Sequence, residues 1–141
     1  IEHLITKDGT ASSSIALHYG DLTDHQNVDN LVATIRPQEI YNLAAQSHVA
    51  VSFETPEYTS HVNALGPLRI LHAIVANDLQ DTCRFYQASS SECFGRSIED
   101  DGYQRETTRM EPTSPYGCAK VFGYNIVRHY RFAHKFLPSN C

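Results

Sequence analysis

The chain has 141 residues, enough for one domain or part of one, and its 41% hydrophobic and 19% charged residues are typical of a folded globular protein. A net charge of −5 and the lack of a Lys/Arg stripe argue against a nucleic-acid partner. The longest nearly apolar segment, residues 68–76, is interrupted by Arg69 and His72, so the sequence predicts no membrane span and, by default, a cytoplasmic location.

The four cysteines and eight histidines indicate neither a disulfide framework nor a metal site. Cys83, Cys93, Cys118 and Cys141 have no C-x-x-C spacing, and the histidines have none of the usual ligand spacings. We therefore expect free thiols in a reducing compartment and no bound metal.

The first half of the chain predicts two strands with a helix between them. Residues 15–19 are predicted to form a short strand that ends at Gly20. Asp24 is predicted to cap a helix that Pro37 ends, because apolar residues recur there at helical spacing: Val28, Leu31, Val32 and Ile35. Residues 39–45 predict a second strand, mostly apolar, of the kind that is covered on both faces of a sheet.

The second half predicts two long helices with a third strand between them. The first helix is predicted over residues 55–76, with a kink or break at Gly66-Pro67, because Pro67 has no N–H to donate. Residues 84–88 predict the third strand, and a polar loop follows it over about 95–113. The last helix is predicted from Ser114, which can cap it, to about residue 133.

The alternation of strands and helices predicts an α/β fold. We expect part of a Rossmann-type, doubly wound parallel sheet with helices on both faces, a three-layer arrangement. Ligands bind such sheets outside the carboxyl ends of the strands. Polar residues follow all three predicted strands at those ends: Asp21, then Gln46, Ser47 and His48, then Ser89, Ser90, Ser91 and Glu92. The three loops therefore predict one crevice, and the last helix begins after the third of them.

Tyr116 and Lys120 are four residues apart and so share one face of the last helix. An ammonium beside a phenol lowers the pKa of the phenol, so the pair can take a proton from a sugar hydroxyl. The Y-x-x-x-K spacing is common, and by itself it would describe a solvated pair on an ordinary helix. The loops that converge before this helix favour the catalytic interpretation.

The glycine-rich turn that normally opens a dinucleotide-binding sheet does not occur in this sequence. The seven glycines form neither G-x-G-x-x-G nor G-x-x-G-x-x-G. The chain begins with Ile1 in place of an initiator methionine and shows no pattern after residue 135. We therefore expect a fragment that lacks its first strand–helix unit and is truncated or altered at its C-terminus.

Four stretches carry a more specific signal: HYGDLTD at 18–24, EIYNLAAQSHV at 39–49, FYQASSSE at 85–92 and SPYGCAK at 114–120. They resemble the extended short-chain dehydrogenase/reductase superfamily and, within it, the GDP-mannose 4,6-dehydratases. The resemblance covers about residues 1–134. It implies that residues 1–141 are an incomplete NADP-binding Rossmann domain of the NAD-dependent epimerase/dehydratase type, without the C-terminal substrate domain.

The resemblance also implies an activity, that of a hydro-lyase that uses NADP to convert GDP-mannose to GDP-4-keto-6-deoxymannose, a precursor of deoxyhexoses such as fucose. A hydride would leave sugar C4 for NADP, water would be eliminated across C5 and C6, and the hydride would return to C6. Members of the family pack as dimers through the two long helices, so a homo-oligomer (dimer or tetramer) is expected. We expect the isolated 141-residue chain to be inactive.

Four residues are implied to be catalytic. Tyr116, aided by Lys120, would take the C4 hydroxyl proton, and Ser90, where the family usually has Thr, would bond the same oxygen. Glu92 would remove the C5 proton, which becomes acidic once C4 is a ketone. Ser90 could instead only cap a turn, and Glu92 could be only a solvated carboxylate.

The implied cofactor contacts extend over all three loops. Asp21 and Leu22 would hold the adenine, and residues 43–47 would run beside the ribose and nicotinamide. Residues 43–45 would also be ordinary strand core. The complete set of implied cofactor residues is Asp21, Leu22, Leu43, Ala44, Ala45, Gln46, Ser47, Tyr58, Tyr116 and Lys120.

Two alternatives stay open. One is another nucleotide-sugar dehydratase, such as the dTDP-glucose type. Those enzymes typically carry Asp immediately before the Glu, where this chain has Ser91, so GDP-mannose is favoured. The other alternative is a catalytically incompetent, truncated paralogue that acts as a binding or dimerisation module.

Overall fold

The computed structural model describes residues 15–136; the irregular start predicted for residues 1–14 and the patternless end of the chain lie outside the described residues. The described elements, in chain order, are α1 His25–Ile35, β1 Glu39–Asn42, α2 Val49–Glu54, α3 Pro56–Asn63, α4 Leu65–Ala76, β2 Arg84–Gln87, a 3-10 turn Ser91–Cys93, and α5 Pro115–Ala133.

Strands β1 and β2 form a parallel pair, in register from Glu39 opposite Arg84 to Asn42 opposite Gln87. Phe85 on β2 is buried in a core that also contains residues from α1, α4 and α5: Val28, Val32, Ile70, Leu71, Ile74, Val127 and Tyr130. The Asn42 and Gln87 side chains are buried too and satisfy each other, with Asn42 Nδ2 donating to Gln87 Oε1 at 2.8 Å. The predicted parallel α/β arrangement is confirmed.

The prediction that the second strand is covered on both faces is wrong for the described residues. Side chains alternate along a strand, so Ile40 and Asn42 lie on one face and Glu39 and Tyr41 on the other. Ile40 packs on the core and Asn42 is buried, whereas Glu39 and Tyr41 are exposed. The strand also ends at Asn42, three residues earlier than predicted.

The strand predicted over residues 15–19 is absent. These residues have no regular structure, and Leu17 and Tyr19 are 62% and 100% exposed. A strand forms where a neighbour pairs with its backbone N–H and C=O groups. In the part of the chain that is described, β1 and β2 pair only with each other, so nothing holds residues 15–19 in a ladder.

Helix α1 follows the prediction. The Asp24 carboxylate accepts a hydrogen bond from Asn27 N at 3.0 Å, which caps the helix, and Val28 and Val32 are buried on its inner face. Arg36 ends it in the left-handed conformation, with φ +46°, immediately before Pro37.

The segment predicted as one helix over residues 55–76 is two helices, α3 and α4, separated at Ala64. The predicted break is confirmed, but it lies just before Gly66 and Pro67. Pro67 sits in the first turn of α4, where a missing N–H leaves no helical bond unmade. Helix α2, which precedes α3, was not predicted.

Candidate active site

The entrance to α5 is built as the sequence predicts. Ser114 Oγ accepts a hydrogen bond from Gly117 N at 3.0 Å, and Pro115 occupies the first helical position. A second hydroxyl, Ser52 Oγ of α2, accepts from Tyr116 N at 3.2 Å. Both serines are buried, so the first turn of α5 is fixed from two sides.

Tyr116 and Lys120 share one buried face of α5, as predicted. The Lys120 ammonium lies 5.6 Å from the centre of the Tyr116 ring, within range of a cation–π interaction. Lys120 Nζ also donates to the carbonyl of Ala88 at 2.9 Å, immediately after β2. Burial lowers the pKa of Lys120 because it disfavours the charged form. Lys120 therefore connects α5 to the end of β2.

The turn that carries Ser90 and Glu92 packs directly on α5. A Cβ atom at Gly117 would lie 2.6 Å from the Glu92 carbonyl oxygen, so only glycine allows this approach. Ser90 Oγ accepts from Glu92 N at 3.2 Å and caps the turn, as the alternative interpretation of Ser90 supposes. The hydroxyl proton of Ser90 stays available to donate a hydrogen bond. Glu92 is half-buried in this turn.

Gln46 is held against α3 by three hydrogen bonds. Asn63 Oδ1 accepts from Gln46 N at 2.9 Å, and Asn63 Nδ2 donates to Gln46 O at 2.8 Å. Thr59 Oγ1 donates to Gln46 Oε1 at 3.1 Å. These contacts fix the loop after β1 relative to the helix that follows it.

The loop after residues 15–19 presents an ionised carboxylate. Asp21 accepts hydrogen bonds at 2.8 Å from both the backbone N and the Oγ1 of Thr23, and these bonds lower the pKa of Asp21. The Asp21 N–H donates to Asn27 Oδ1 at 3.1 Å. A pocket of about 430 Å³ lies here, lined by Asp21, Leu22 and Ala44 together with apolar residues of α1.

The structure does not bring all the predicted residues to one place. A second pocket of about 280 Å³ lies beside Ser90 and reaches Tyr124 of α5. Leu43 and Tyr58 are 69% and 56% exposed, and neither lines either pocket. The interpretation of residues 43–45 as strand core is wrong, because β1 ends at Asn42 and both Leu43 and Ala44 are exposed. The single crevice stays a prediction.

The profile of the GDP-mannose 4,6 dehydratase family matches residues 1–140. The chain belongs to this family. A GDP-mannose 4,6 dehydratase of Caenorhabditis elegans is 52% identical over 144 residues, covering 99% of this chain and 37% of the relative. One from Vibrio cholerae is 46% identical over 140 residues, with coverages of 99% and 37%. The chain thus spans little more than a third of the length of these curated relatives.

Solved structures confirm the Rossmann-type fold class of this dehydratase-family chain. RMD from Pseudomonas aeruginosa, complexed with NADPH, has a TM-score of 0.75 and 24% identity, covering 84% of this chain and 40% of that one. UDP-glucose 4-epimerase from Thermus thermophilus has a TM-score of 0.78 and 24% identity, covering 93% and 41%. The dTDP-glucose 4,6-dehydratase DesIV from Streptomyces venezuelae has a TM-score of 0.71 and 26% identity, covering 83% and 34%.

Among the described residues of this dehydratase-family chain, no three metal-ligating side chains lie together. Cys83 and Cys93 are buried free thiols and Cys118 is an exposed one; Cys141 lies outside the described residues. No helix between residues 15 and 136 is long and apolar enough to cross a membrane.

Two residues of the candidate site were missed by the sequence reasoning. Thr59 and Asn63 are buried and polar, and they hold Gln46. A signal for them was available: they are four residues apart, on the same face of α3, where an inward-facing helix position is normally apolar. Buried polar side chains need partners, and the Gln46 loop supplies them.

Proposed function

We propose that this chain is the cofactor-binding and catalytic part of a GDP-mannose 4,6-dehydratase, a hydro-lyase that converts GDP-mannose to GDP-4-keto-6-deoxymannose. One observation carries the proposal: the close contact of the Ser91–Cys93 turn with α5. It brings the segment bearing Ser90 and Glu92 against the helix bearing Tyr116 and Lys120. The 46–52% identity to curated GDP-mannose 4,6-dehydratases supports the same substrate.

Each of the four residues has a task that its surroundings support. Tyr116, as the phenolate, takes the proton of the C4 hydroxyl and becomes neutral, and the nearby Lys120 ammonium stabilises the phenolate before the transfer. Ser90 donates to the same sugar oxygen and positions it. Glu92 removes the C5 proton, which is acidic once C4 is a carbonyl. A bound NADP would supply the hydride chemistry, which is oxidation at C4 and reduction at C6.

The pocket beside Asp21 suits the adenine end of a dinucleotide. Its apolar walls can cover the faces of a flat ring, and the Asp21 carboxylate can accept from an amino group at the ring edge. The residues that line it include no Lys or Arg, so none of them is assigned to the 2′-phosphate. NADP as the cofactor is supported by the likeness to RMD complexed with NADPH. Leu43, Ala45, Gln46, Ser47 and Tyr58 are proposed to contact the rest of the dinucleotide.

A homo-oligomer is proposed to form through the outer faces of α3 and α5. Tyr58 on α3 and Cys118 and Phe122 on α5 are exposed there. Cys118 and Phe122 line an open pocket between the two helices, together with Leu65. Exposed apolar surface on two adjacent helices is typical of an interface between subunits.

The catalytic proposal can be tested with a chimera in which this chain replaces the matching segment of the C. elegans relative. The substrate is GDP-mannose carrying deuterium at C4, with NADP present. A 4,6-dehydratase moves that deuterium to C6 of the 4-keto-6-deoxy product, which mass spectrometry detects. A folded chimera that binds NADP and forms no such product would contradict the proposal, and turnover of dTDP-glucose in its place would favour the dTDP-glucose type.

A further inference from the structure

Arg69 makes a contact that none of the roles above uses. It lies in the second turn of α4 and is partly buried. Its Nη1 donates two hydrogen bonds, to the carbonyl of Leu22 at 2.8 Å and to the carbonyl of His61 at 2.9 Å. One guanidinium nitrogen therefore joins three separate segments: the loop after residues 15–19, the end of α3, and α4.

The break between α3 and α4 explains the bond to His61. The last carbonyls of a helix have no helical donor, and His61 lies in the last turn of α3, which ends at Asn63. Arg69 satisfies this carbonyl from the next helix. Guanidinium groups form strong hydrogen bonds to carbonyl oxygens. The bond to His61 therefore fixes the Arg69 guanidinium relative to α3, and the bond to Leu22 fixes the Leu22 carbonyl relative to both helices.

Leu22 is also held through its side chain. A Cβ atom at Gly66 would lie 3.0 Å from Leu22 Cδ1 and 3.2 Å from Leu22 Cβ, so the first turn of α4 packs closely on this leucine. Two independent contacts, one to the Leu22 carbonyl and one to its side chain, thus come from α4. Arg69 itself does not line the 430 Å³ pocket, whereas Leu22 and its neighbour Asp21 do.

We infer that Arg69 is a positioning residue for cofactor binding: with Gly66, it fixes the Asp21–Leu22 loop to α4 so that the Asp21 carboxylate meets the adenine edge of the dinucleotide. This inference rests on the proposed function. Arg69 acts through the loop and touches no cofactor atom. It affects the adenine end of the dinucleotide and leaves the nicotinamide end, near Tyr116 and Lys120, unaffected.

The test uses the full chain and three substitutions of arginine. Arg69→Met keeps the side-chain stem and removes the donors, Arg69→Lys keeps a cationic donor, and Arg131→Met removes an exposed charge at the far end of α5. The first readout is amide hydrogen exchange by NMR without ligand, at Asp21, Thr23 and Asp24. The second is the affinity for NADP, for adenosine 2′,5′-bisphosphate and for nicotinamide mononucleotide.

We expect Arg69→Met to speed hydrogen exchange at the three loop amides by about tenfold, because it removes charge-assisted hydrogen bonds. The exchange rates of the α5 amides should not change. NADP and adenosine 2′,5′-bisphosphate should bind about tenfold more weakly, and nicotinamide mononucleotide equally well. Arg69→Lys should retain most of both properties, and Arg131→Met should match wild type. Gly66→Ala, which pushes on Leu22, is a second variant should Arg69→Met fold poorly, and it should act in the same direction.

The outcomes separate the inference from the proposed function. If wild type binds NADP but the loop amides and the affinities are unchanged in Arg69→Met, the role of Arg69 is wrong and the function stands. Exchange that accelerates equally in the loop and in α5 would show a general loss of stability and would also overturn the role. If wild type binds none of the three nucleotides, the proposed function fails, and the cofactor role of Arg69 fails with it.

Discussion

Two loops at the ends of the predicted strands are held in different ways. The turn after β2, with Ser90 and Glu92, lies against the buried first turn of α5, where Gly117 permits backbone contact and Lys120 bonds the strand end. The loop with Asp21 and Leu22 is largely exposed and depends on α4, through Arg69 and the close approach of Gly66.

The difference fits the two tasks in the proposed function. The side chains that are proposed to exchange protons with a sugar need fixed positions, and contact with a buried helix provides them. A loop with few buried contacts opens at lower free energy than the core does. The Asp21 loop is therefore expected to open at lower free energy than the Glu92 turn, and its position depends on the contacts of Arg69 and Gly66 with Leu22.

The largest expected effect is on catalysis at the rigid turn. In the chimera, Glu92→Gln should lower product formation by about 10²–10⁴-fold, because it removes the proposed base while keeping the shape of the side chain. NADP affinity should stay at the wild-type value. Asp100→Asn, in an exposed loop, is the matched control. Normal product formation by Glu92→Gln in the mass-spectrometric assay would remove Glu92 from the mechanism.

The contact between the turn and α5 can be broken sterically. Gly117→Ala should destabilise the chain by about 1–3 kcal/mol, because its Cβ would lie 2.6 Å from the Glu92 carbonyl. Gly123→Ala in the same helix meets its nearest atom at 3.4 Å and should be neutral or stabilising by up to about 1 kcal/mol, since Ala is the better helix former. Urea unfolding measures both; equal effects would argue against a tight contact at Gly117.

The helix caps of the two regions should differ in strength. Ser114→Ala removes the buried cap of α5 and should cost about 1–2 kcal/mol, whereas Asp24→Ala removes the exposed cap of α1 and should cost about 0.5–1 kcal/mol. Chemical denaturation of both variants at one pH would measure the two losses. A larger loss for Asp24→Ala would reverse the proposed order of rigidity.

The smallest effect is a pH dependence at Lys120. Its pKa is lowered in the folded state from the ordinary 10.5, because burial disfavours the ammonium. Between the lowered pKa and 10.5 the unfolded chain binds more protons, so this side chain makes stability rise with pH and fall as pH drops. The stability of wild type minus that of Lys120→Met should therefore increase as the pH rises towards 10.5. A constant or falling difference would show that Lys120 is not desolvated by folding.

Local signals predicted α1 and α5. Asp24 with its apolar spacing predicted α1, and Ser114-Pro115 predicted the start of α5, because caps and helical periodicity depend on residues within a few positions. The strand over 15–19 was predicted on equally local grounds and does not form, because a strand depends on a partner that its own residues cannot supply.

The candidate site was predicted only in part, because local spacing indicates contacts within one helix and not contacts between distant segments. That Tyr116 and Lys120 share a face follows from their spacing in one helix, and the structure confirms it. The other contacts join distant residues. Thr59 and Asn63 bond Gln46 from 13 and 17 positions away, and Arg69 bonds Leu22 from 47 positions away. The spacing of residues within one helix or strand does not predict hydrogen bonds between different segments.

By itself, the sequence determined the α/β class, the positions of α1 and α5, the shared face of Tyr116 and Lys120, and a set of polar loops after the strands. Only the tertiary structure decided which of those loops is rigid. Rigidity at the Glu92 turn comes from the close backbone approach at Gly117, and the anchoring of the Asp21 loop comes from a guanidinium on a distant helix. Both are contacts between segments far apart in the chain, and they exist only once the helices have packed.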